Sequence, residues 1–480
     1  MVHRPISDRN HFHTGVMLLV AVAIILFTFS RNAEAIPAFA RTHQAPCTLC
    51  HDGFPRLNHF GEEFERRGYR MPGQEGKFLW EQPLPFAGRI NALAQVEINK
   101  WSPERSNLIS STKSGVRLFD WQILTGGTIT PRVSFFGQLV GKVQGLGPDD
   151  TDANADHAVH GISEIRTEVF WAQFNDLAGE DGMMNLRVGL DHIDNHFLST
   201  PLRLTHADYL IQFQPGHIGA SLHPLAVGVG FNGGLALSGL EYDIGVRNYG
   251  PFYDSKEGNE HRLGAFYAVV NKHIAENTVS FFLASDRSGN ANLGQDGMTL
   301  GWGASLDIHL GKLNIVPGLF WYRDASGTGA GSAGGGEEHE HEEEETGETT
   351  PPPTEEHDHD GTTNGSTDHA HGTAFPNGLN VFSGTLGATY RFKPSLLGIV
   401  RYDFNDFDVK DEGIDREARQ YVVSLVWYVY PNVRWIAEYS RLITKNLEFV
   451  GEPGLASLEP TSVESNLTQD KVVLRLDVGF

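Results

Sequence analysis

Met298-Thr299-Leu300-Gly301-Trp302-Gly303-Ala304-Ser305-Leu306-Asp307-Ile308-His309-Leu310 changes character at every step. Met298, Leu300, Trp302, Ala304, Leu306, Ile308 and Leu310 share one face, and Thr299, Gly301, Gly303, Ser305, Asp307 and His309 share the other. A period of two belongs to a β-strand, whose successive side chains point to opposite faces. The dyad returns at the C-terminus, where Val472, Leu474, Leu476, Val478 and Phe480 alternate with Val473, Arg475, Asp477 and Gly479. A soluble β-sandwich would show the same alternation over shorter strands. Apolar-out, polar-in strands of this length are what a lipid-facing barrel requires, because only closure satisfies every backbone group in a bilayer.

Composition and loop lengths point the same way. From about residue 86 the chain is rich in glycine, aromatics and alternation. No segment there approaches the run of about 18 apolar residues that a membrane helix needs. Short connections are expected near Thr130-Pro131, Asn175 to Gly182, Ser238-Gly239, Ile274 to Asn277, Leu310-Gly311, Lys393-Pro394 and Tyr430-Pro431-Asn432. Longer, mostly polar connections fall near 101–114, 144–162, 192–218, 250–261, 286–296, 324–378, 407–417 and 444–468. The two kinds alternate, so the expected fold is an all-β transmembrane barrel of about 16 antiparallel strands over 86–480, with both ends on the short-turn, periplasmic side. A final strand ending in Phe480 resembles the C-terminal signal of bacterial outer-membrane barrels. The strands around 209–248 are the least sharply patterned.

Net charge is −23, which excludes nucleic acid as a natural partner. Segment 325–378 holds 13 acidic residues, six histidines and no Lys or Arg. It cannot bury a core and reads as a disordered outer loop. Its histidines suit a weak metal-collecting role, or the acid simply keeps the surface solvated. His192, His196 and His206 fall in one outer loop; they could line a site, but loop histidines are usually just solvated. No serine elbow, P-loop or dinucleotide fingerprint is present, and no catalytic residue is assigned.

The N-terminus carries different signals. Residues 1–35 read as a cleaved export signal: Arg4 and Arg9, an apolar run from Val16 to Phe27, then Ala33-Glu34-Ala35. An uncleaved anchor is the alternative. Residues 36–85 contain Cys47-Thr48-Leu49-Cys50-His51, with the only two cysteines of the chain. C-x-x-C-H attaches a c-type haem: both thiols form thioethers and the histidine is an axial ligand. A redox C-x-x-C is the alternative, but it belongs in a βαβ context, and zinc wants four ligands. Leu57, Phe60 and Phe64 recur at helical spacing, with Gly68 as the stop. Met71, just beyond, is a candidate sixth ligand or a packing methionine; His43 and His59 are its competitors, although each reads more simply as a surface histidine.

The runs Pro37-x-Phe39-Ala40-Arg41, Cys47-x-x-Cys50-His51 and Pro55-x-Leu57-Asn58-x-Phe60-Gly61-x-x-Phe64 resemble the fused monohaem cytochrome–porins, a family that includes the outer-membrane iron(II) oxidases of iron-oxidising bacteria. After Arg41 that family commonly carries Gln-Thr-Gly, where this chain has Thr42-His43-Gln44. The resemblance implies one covalent haem c and Fe(II):cytochrome c oxidoreductase-type electron transfer at the outer membrane. Independently, a segment as small as 36–85 rarely covers a core unaided, and a barrel this wide leaves a lumen. The economical arrangement is a haem segment that plugs the pore. Expected partners are Fe(II) or another small reductant and a periplasmic cytochrome or copper protein. A diffusion porin with a structural or sensory haem segment, or an outward electron conduit, would share these features.

Overall fold

The computed structural model describes residues 38–83, 85–103, 109–143, 162–179, 182–192, 203–211, 225–235, 238–248, 265–286, 299–324, 379–409, 416–449 and 463–479. The expected export signal, His196, Met298, the acidic 325–378 segment and Phe480 lie outside these residues. The N-terminal segment holds helix α1 (Ala38–His43), the short strands β1 (His51–Gly53) and β2 (Arg56–Leu57), and helix α2 (His59–Arg66). The strands that follow are β3 (Phe86–Pro103), β4 (Ile109–Thr130), β5 (Val133–Val143), β6 (Ile162–Phe174), β7 (Asn185–His192), β8 (Leu225–Leu235), β9 (Leu240–Asn248) and β10 (Ala265–Ile274). The second half adds β11 (Asn277–Asp286), β12 (Thr299–Leu310), β13 (Leu313–Asp324), β14 (Leu379–Lys393), β15 (Leu396–Val409), β16 (Arg416–Tyr430), β17 (Val433–Phe449) and β18 (Val463–Gly479).

Strands β3 to β18 form one closed antiparallel ring of sixteen, each paired with its neighbours in sequence. The seam joins β18 to β3, with Val472 opposite Val96 and Gly479 opposite Arg89. All seven expected short turns are present, and both ends of the ring lie at that end, where Gly479 N–H donates to Asn432 O at 2.8 Å. Two expected connections shorten, and at 444–468 the flanking strands run on to Phe449 and resume at Val463. The connection expected at 101–114 is largely strand, because β3 continues to Pro103 and β4 begins at Ile109, with Thr112 opposite Ile98. Serine and threonine there extend the ladder instead of ending it.

The outer surface follows the dyad. On β16, Val423 and Trp427 are 52% and 48% exposed, while Val422 and Val426, the residue before each, are fully buried. Such an apolar outer band is the surface that a bilayer covers. The interior departs from a purely polar lumen. Residues 203–211, expected in a solvated outer loop, turn inward. Leu210 and Ile211 pack with the inward-facing Phe282, Phe320 and Val381. Arg401 donates to the carbonyls of Ala207 (3.1 Å) and Asp208 (2.6 Å), and Asn405 to that of Leu210 (2.8 Å). Glu438 accepts from the backbone N–H groups of His206 (2.8 Å) and Ala207 (2.7 Å). His206 is therefore partly buried, and His192 ends a wall strand. Where chain fills a lumen, inward residues become a core, which accounts for the apolar inner positions.

Asp324 and Leu379 are opposite one another in the β13–β14 ladder. The 325–378 connection thus joins residues that the barrel already holds together. Deleting 330–374 and closing with a short turn is expected to change barrel stability by less than about 1 kcal/mol, read as the urea unfolding midpoint in detergent.

Candidate cofactor pocket

The pocket begins with a tight turn. Pro46 is extended, and Cys47–Leu49 form one turn of 3-10 helix, with Cys50 N–H donating to Cys47 O at 3.2 Å. Three residues per turn bring Cys47 and Cys50 back to one side. His51 follows in the β1–β2 hairpin. Its Nδ1 lies 3.1 Å from Pro55 O and 3.3 Å from Arg56 O. Carbonyls only accept, so Nδ1 carries the proton and Nε2 keeps its lone pair, the tautomer a metal ligand needs. Burial also pushes the His51 imidazole below its usual pKa, which keeps it neutral. Burial pushes both thiols up. A redox C-x-x-C depends on a lowered thiol pKa, so this environment disfavours that alternative.

Helix α2 locks the turn in place. Asn58 is its N-cap: the side-chain oxygen accepts from Gly61 N–H (2.9 Å), the side-chain amide donates to Leu49 O (3.1 Å), and the backbone N–H donates to Cys50 O (2.9 Å). One residue therefore caps the helix and ties it to the cysteine turn. Gly61 permits the approach, since a Cβ there would stand 2.2 Å from Cys50 O. The helix ends as expected at Gly68, whose φ of +67° lets Tyr69 N–H turn back to Phe64 O at 2.9 Å.

Wall residues around the ring hold the segment. Arg56 pairs with Asp307 on β12 and Arg66 with Glu241 on β9. Arg70 makes a two-pronged pair with Asp176 at 2.6 and 3.0 Å. Phe54 O accepts from Tyr428 Oη (3.0 Å) and from Arg434 Nη1 (2.9 Å). Arg434, Arg89 and Arg475 converge on Asp477, at 2.7, 3.0 and 2.5 Å. A segment bound to walls on opposite sides of the ring lies across its lumen, at the short-turn end.

Between segment and wall is a cavity of about 270 Å³ onto which Cys47, Cys50, His51, Met71 and His43 all open. Its apolar side is an aromatic stack: Phe39 on Tyr69 (centroids 4.2 Å) and Tyr69 on Trp171 (5.7 Å), with the Arg187 guanidinium over Trp171 (4.2 Å). Two thiols, one oriented neutral imidazole and a flat apolar wall suit a covalently bound porphyrin. Of the candidate sixth ligands, Met71 packs beside the aromatic cluster and His43 stacks edge-on against Phe64 (5.1 Å). His59 does not reach the cavity; it faces Glu241 and His273 instead. The sequence offered no reason to choose His192. This last residue of β7 opens on the cavity, and both its ring nitrogens are buried without a hydrogen-bond partner among the described residues. That places an imidazole at unusual cost, because an unsatisfied buried polar group is destabilising by about 1–3 kcal/mol.

No protein-family model matches the chain. Among solved structures, the chain is similar to the anion-selective porin of Comamonas acidovorans, at 12% identity over 83% of this chain and 99% of that one, with a TM-score of 0.50. Salmonella typhi OmpF, solved with daunomycin, aligns at 10% identity over 83% of this chain and 97% of that one, TM-score 0.48. The outer-membrane channel DcaP of Acinetobacter baumannii aligns at 12% identity over 82% and 96%, TM-score 0.45. The first of these establishes a porin-type barrel; the likeness concerns fold alone.

Asn58→Ala removes the cap and the tie to Leu49 together. The expected loss is about 1–2 kcal/mol of local stability, seen as roughly tenfold or greater acceleration of proteolytic cutting within 38–83 while the barrel itself remains resistant.

Proposed function

We propose that this protein carries electrons at the outer membrane through one haem, held by Cys47 and Cys50 with His51 on iron, and that it oxidises extracellular Fe(II) and passes electrons to a periplasmic cytochrome or copper protein. The observation that carries this reading is the convergence of both thiols and an Nδ1-protonated imidazole on one aromatic cavity inside a porin-type ring. The haem supplies a one-electron centre there. The chain's own residues do the rest. Pro55 and Arg56 carbonyls hold the His51 tautomer, Phe39, Tyr69 and Trp171 exclude water, and Asn58 and Gly61 keep the cysteine turn against α2. The net charge of −23 favours a small cationic donor over an anionic one, an attraction that salt weakens without reversing.

A diffusion porin is the second reading, favoured by the shared barrel architecture. It predicts an open path through the ring, whereas electron transfer needs none. In planar bilayers the wild-type protein is expected to conduct little, and a variant lacking 38–83 to conduct freely; equal conductance would favour the porin. In the same preparation, mass spectrometry is expected to find one haem that survives denaturation. Stopped-flow absorbance is expected to show reduction by anaerobic Fe(II) within milliseconds to minutes. Haem that ignores Fe(II) yet is reduced at once by dithionite would leave the outward conduit.

Met71 and His192 both open on the cavity and either could complete the iron's ligand set; the His192 ring nitrogens, which have no hydrogen-bond partner among the described residues, favour His192. The expected outcome is that His192→Ala converts the oxidised haem from a low-spin to a high-spin electron paramagnetic resonance signal while Met71→Ala does not. The opposite pattern would return the role to Met71.

A further inference from the structure

His59, Glu241 and His273 come from three separate elements, α2, β9 and β10, and their ligating atoms all lie within 4.8 Å of one another. We propose that they form a binding site for a divalent transition ion of the zinc class, which braces the N-terminal segment to the barrel wall. This inference does not depend on the haem reading.

The geometry is close to a coordination shell. His273 Nε2 stands 2.8 Å from Glu241 Oε2, and His59 Nδ1 stands 3.8 Å from Glu241 Oε1. Ligand atoms about 2.0–2.2 Å from a tetrahedral zinc sit roughly 3.3–3.5 Å apart, so the observed separations bracket the requirement and small side-chain rotations meet it. The His59 and His273 rings lie nearly against one another, with centroids 3.9 Å apart.

The hydrogen bonding supports an ion as well. Thr278 Oγ1 lies 3.0 Å from His273 Nδ1 and occupies that nitrogen. The other nitrogen, Nε2, points at the cluster; it is buried and, although close to Glu241, lacks the alignment of a hydrogen bond. The His273 side chain is 6% exposed. Arg66 pairs with Glu241 through Oε1, which leaves Oε2 on the side of His273. Those are the outer-shell contacts that orient metal ligands: a hydroxyl on the imidazole and a charged partner on the carboxylate. A cleft of about 90 Å³ opens beside His59 and Glu241, with room for an ion to enter and for water to complete its shell. Two imidazoles and a carboxylate suit zinc, and also iron, nickel or copper by donor type. Three protein ligands with solvent in the fourth position is the pattern of an open zinc site, as distinct from the closed four-ligand sites of zinc fingers.

Zn(II) titration of the chelator-treated, full-length protein in detergent tests the site, with a chromophoric chelator as competitor. The variant lacking 330–374 is titrated in parallel, because its six missing histidines are the obvious source of adventitious binding. The expected result is one tight equivalent retained in both proteins, with nitrogen and oxygen donors in zinc-edge X-ray absorption. His59→Ala and His273→Ala are each expected to weaken it at least 100-fold, and Thr278→Val about tenfold. His309→Ala, outside the cluster, is expected to leave it unchanged. Since His59 is half-exposed, its substitution keeps the barrel intact and the test decisive. Zn(II) should also slow proteolysis within 38–83 in the wild type and not in His59→Ala. Tight binding that vanishes with 330–374, or that survives both histidine substitutions, overturns the site.

Discussion

A strand in a bilayer cannot leave its N–H and C=O groups unpaired, because hydrocarbon offers no partner for them. The whole architecture depends on that constraint. It forces β18 back onto β3, makes the ring closed and fixes its width through the number of strands. A ring of sixteen encloses more space than its own inward side chains fill. The chain fills that space twice, with residues 203–211 on one side and with the N-terminal segment at the short-turn end. Each filling converts a stretch of lumen into ordinary protein interior. Fully buried Val381, Ala418 and Val422 are as much core residues as those of a soluble domain, although they stand on barrel strands.

Polar wall residues are the complement of this filling. Buried arginines and carboxylates occur in groups in which each charge has partners, which is the condition for burying them at all. Asp477 is the clearest case. Arg434 reaches it from β17, Arg89 from β3 and Arg475 from its own strand, and Arg434 also holds the carbonyl of Phe54. One carboxylate thus links the closing seam to the residue three positions beyond His51. The cavity with its cysteines and the membrane-facing ring share buried charge.

Much of this was legible in the sequence because it is local. Prolines, glycines and asparagines marked all seven short turns, the two-residue alternation marked the strands, and C-x-x-C-H marked the turn that brings Cys47, Cys50 and His51 to one cavity. The first strand begins at Phe86, where the composition changes. What was not legible is long-range. Polar Ser110 to Ser114 look like loop and are strand, because their partners Val96 to Lys100 extend the ladder. His192 and His206 look solvated, and only the inward fold of 203–211 and the position of β7 draw them partly out of solvent. His59 reads as a surface histidine until β9 and β10 bring Glu241 and His273 beside it. Nothing in the spacing of these residues signals that they meet.

The seating of the N-terminal segment also has a consequence for biogenesis. Residues 38–83 leave the ribosome long before Tyr428, Arg434 and Asp477, which grip Phe54 and anchor the grip. Throughout export the segment travels without its socket, its aromatic surface uncovered by the wall that later shelters it. Were Cys47 and Cys50 to take up haem, as proposed above, the attachment would find them on a tether that the barrel has yet to enclose. The order of events is written into chain polarity: a circular permutation that moved this segment behind β18 would leave every contact possible and reverse the schedule by which they form.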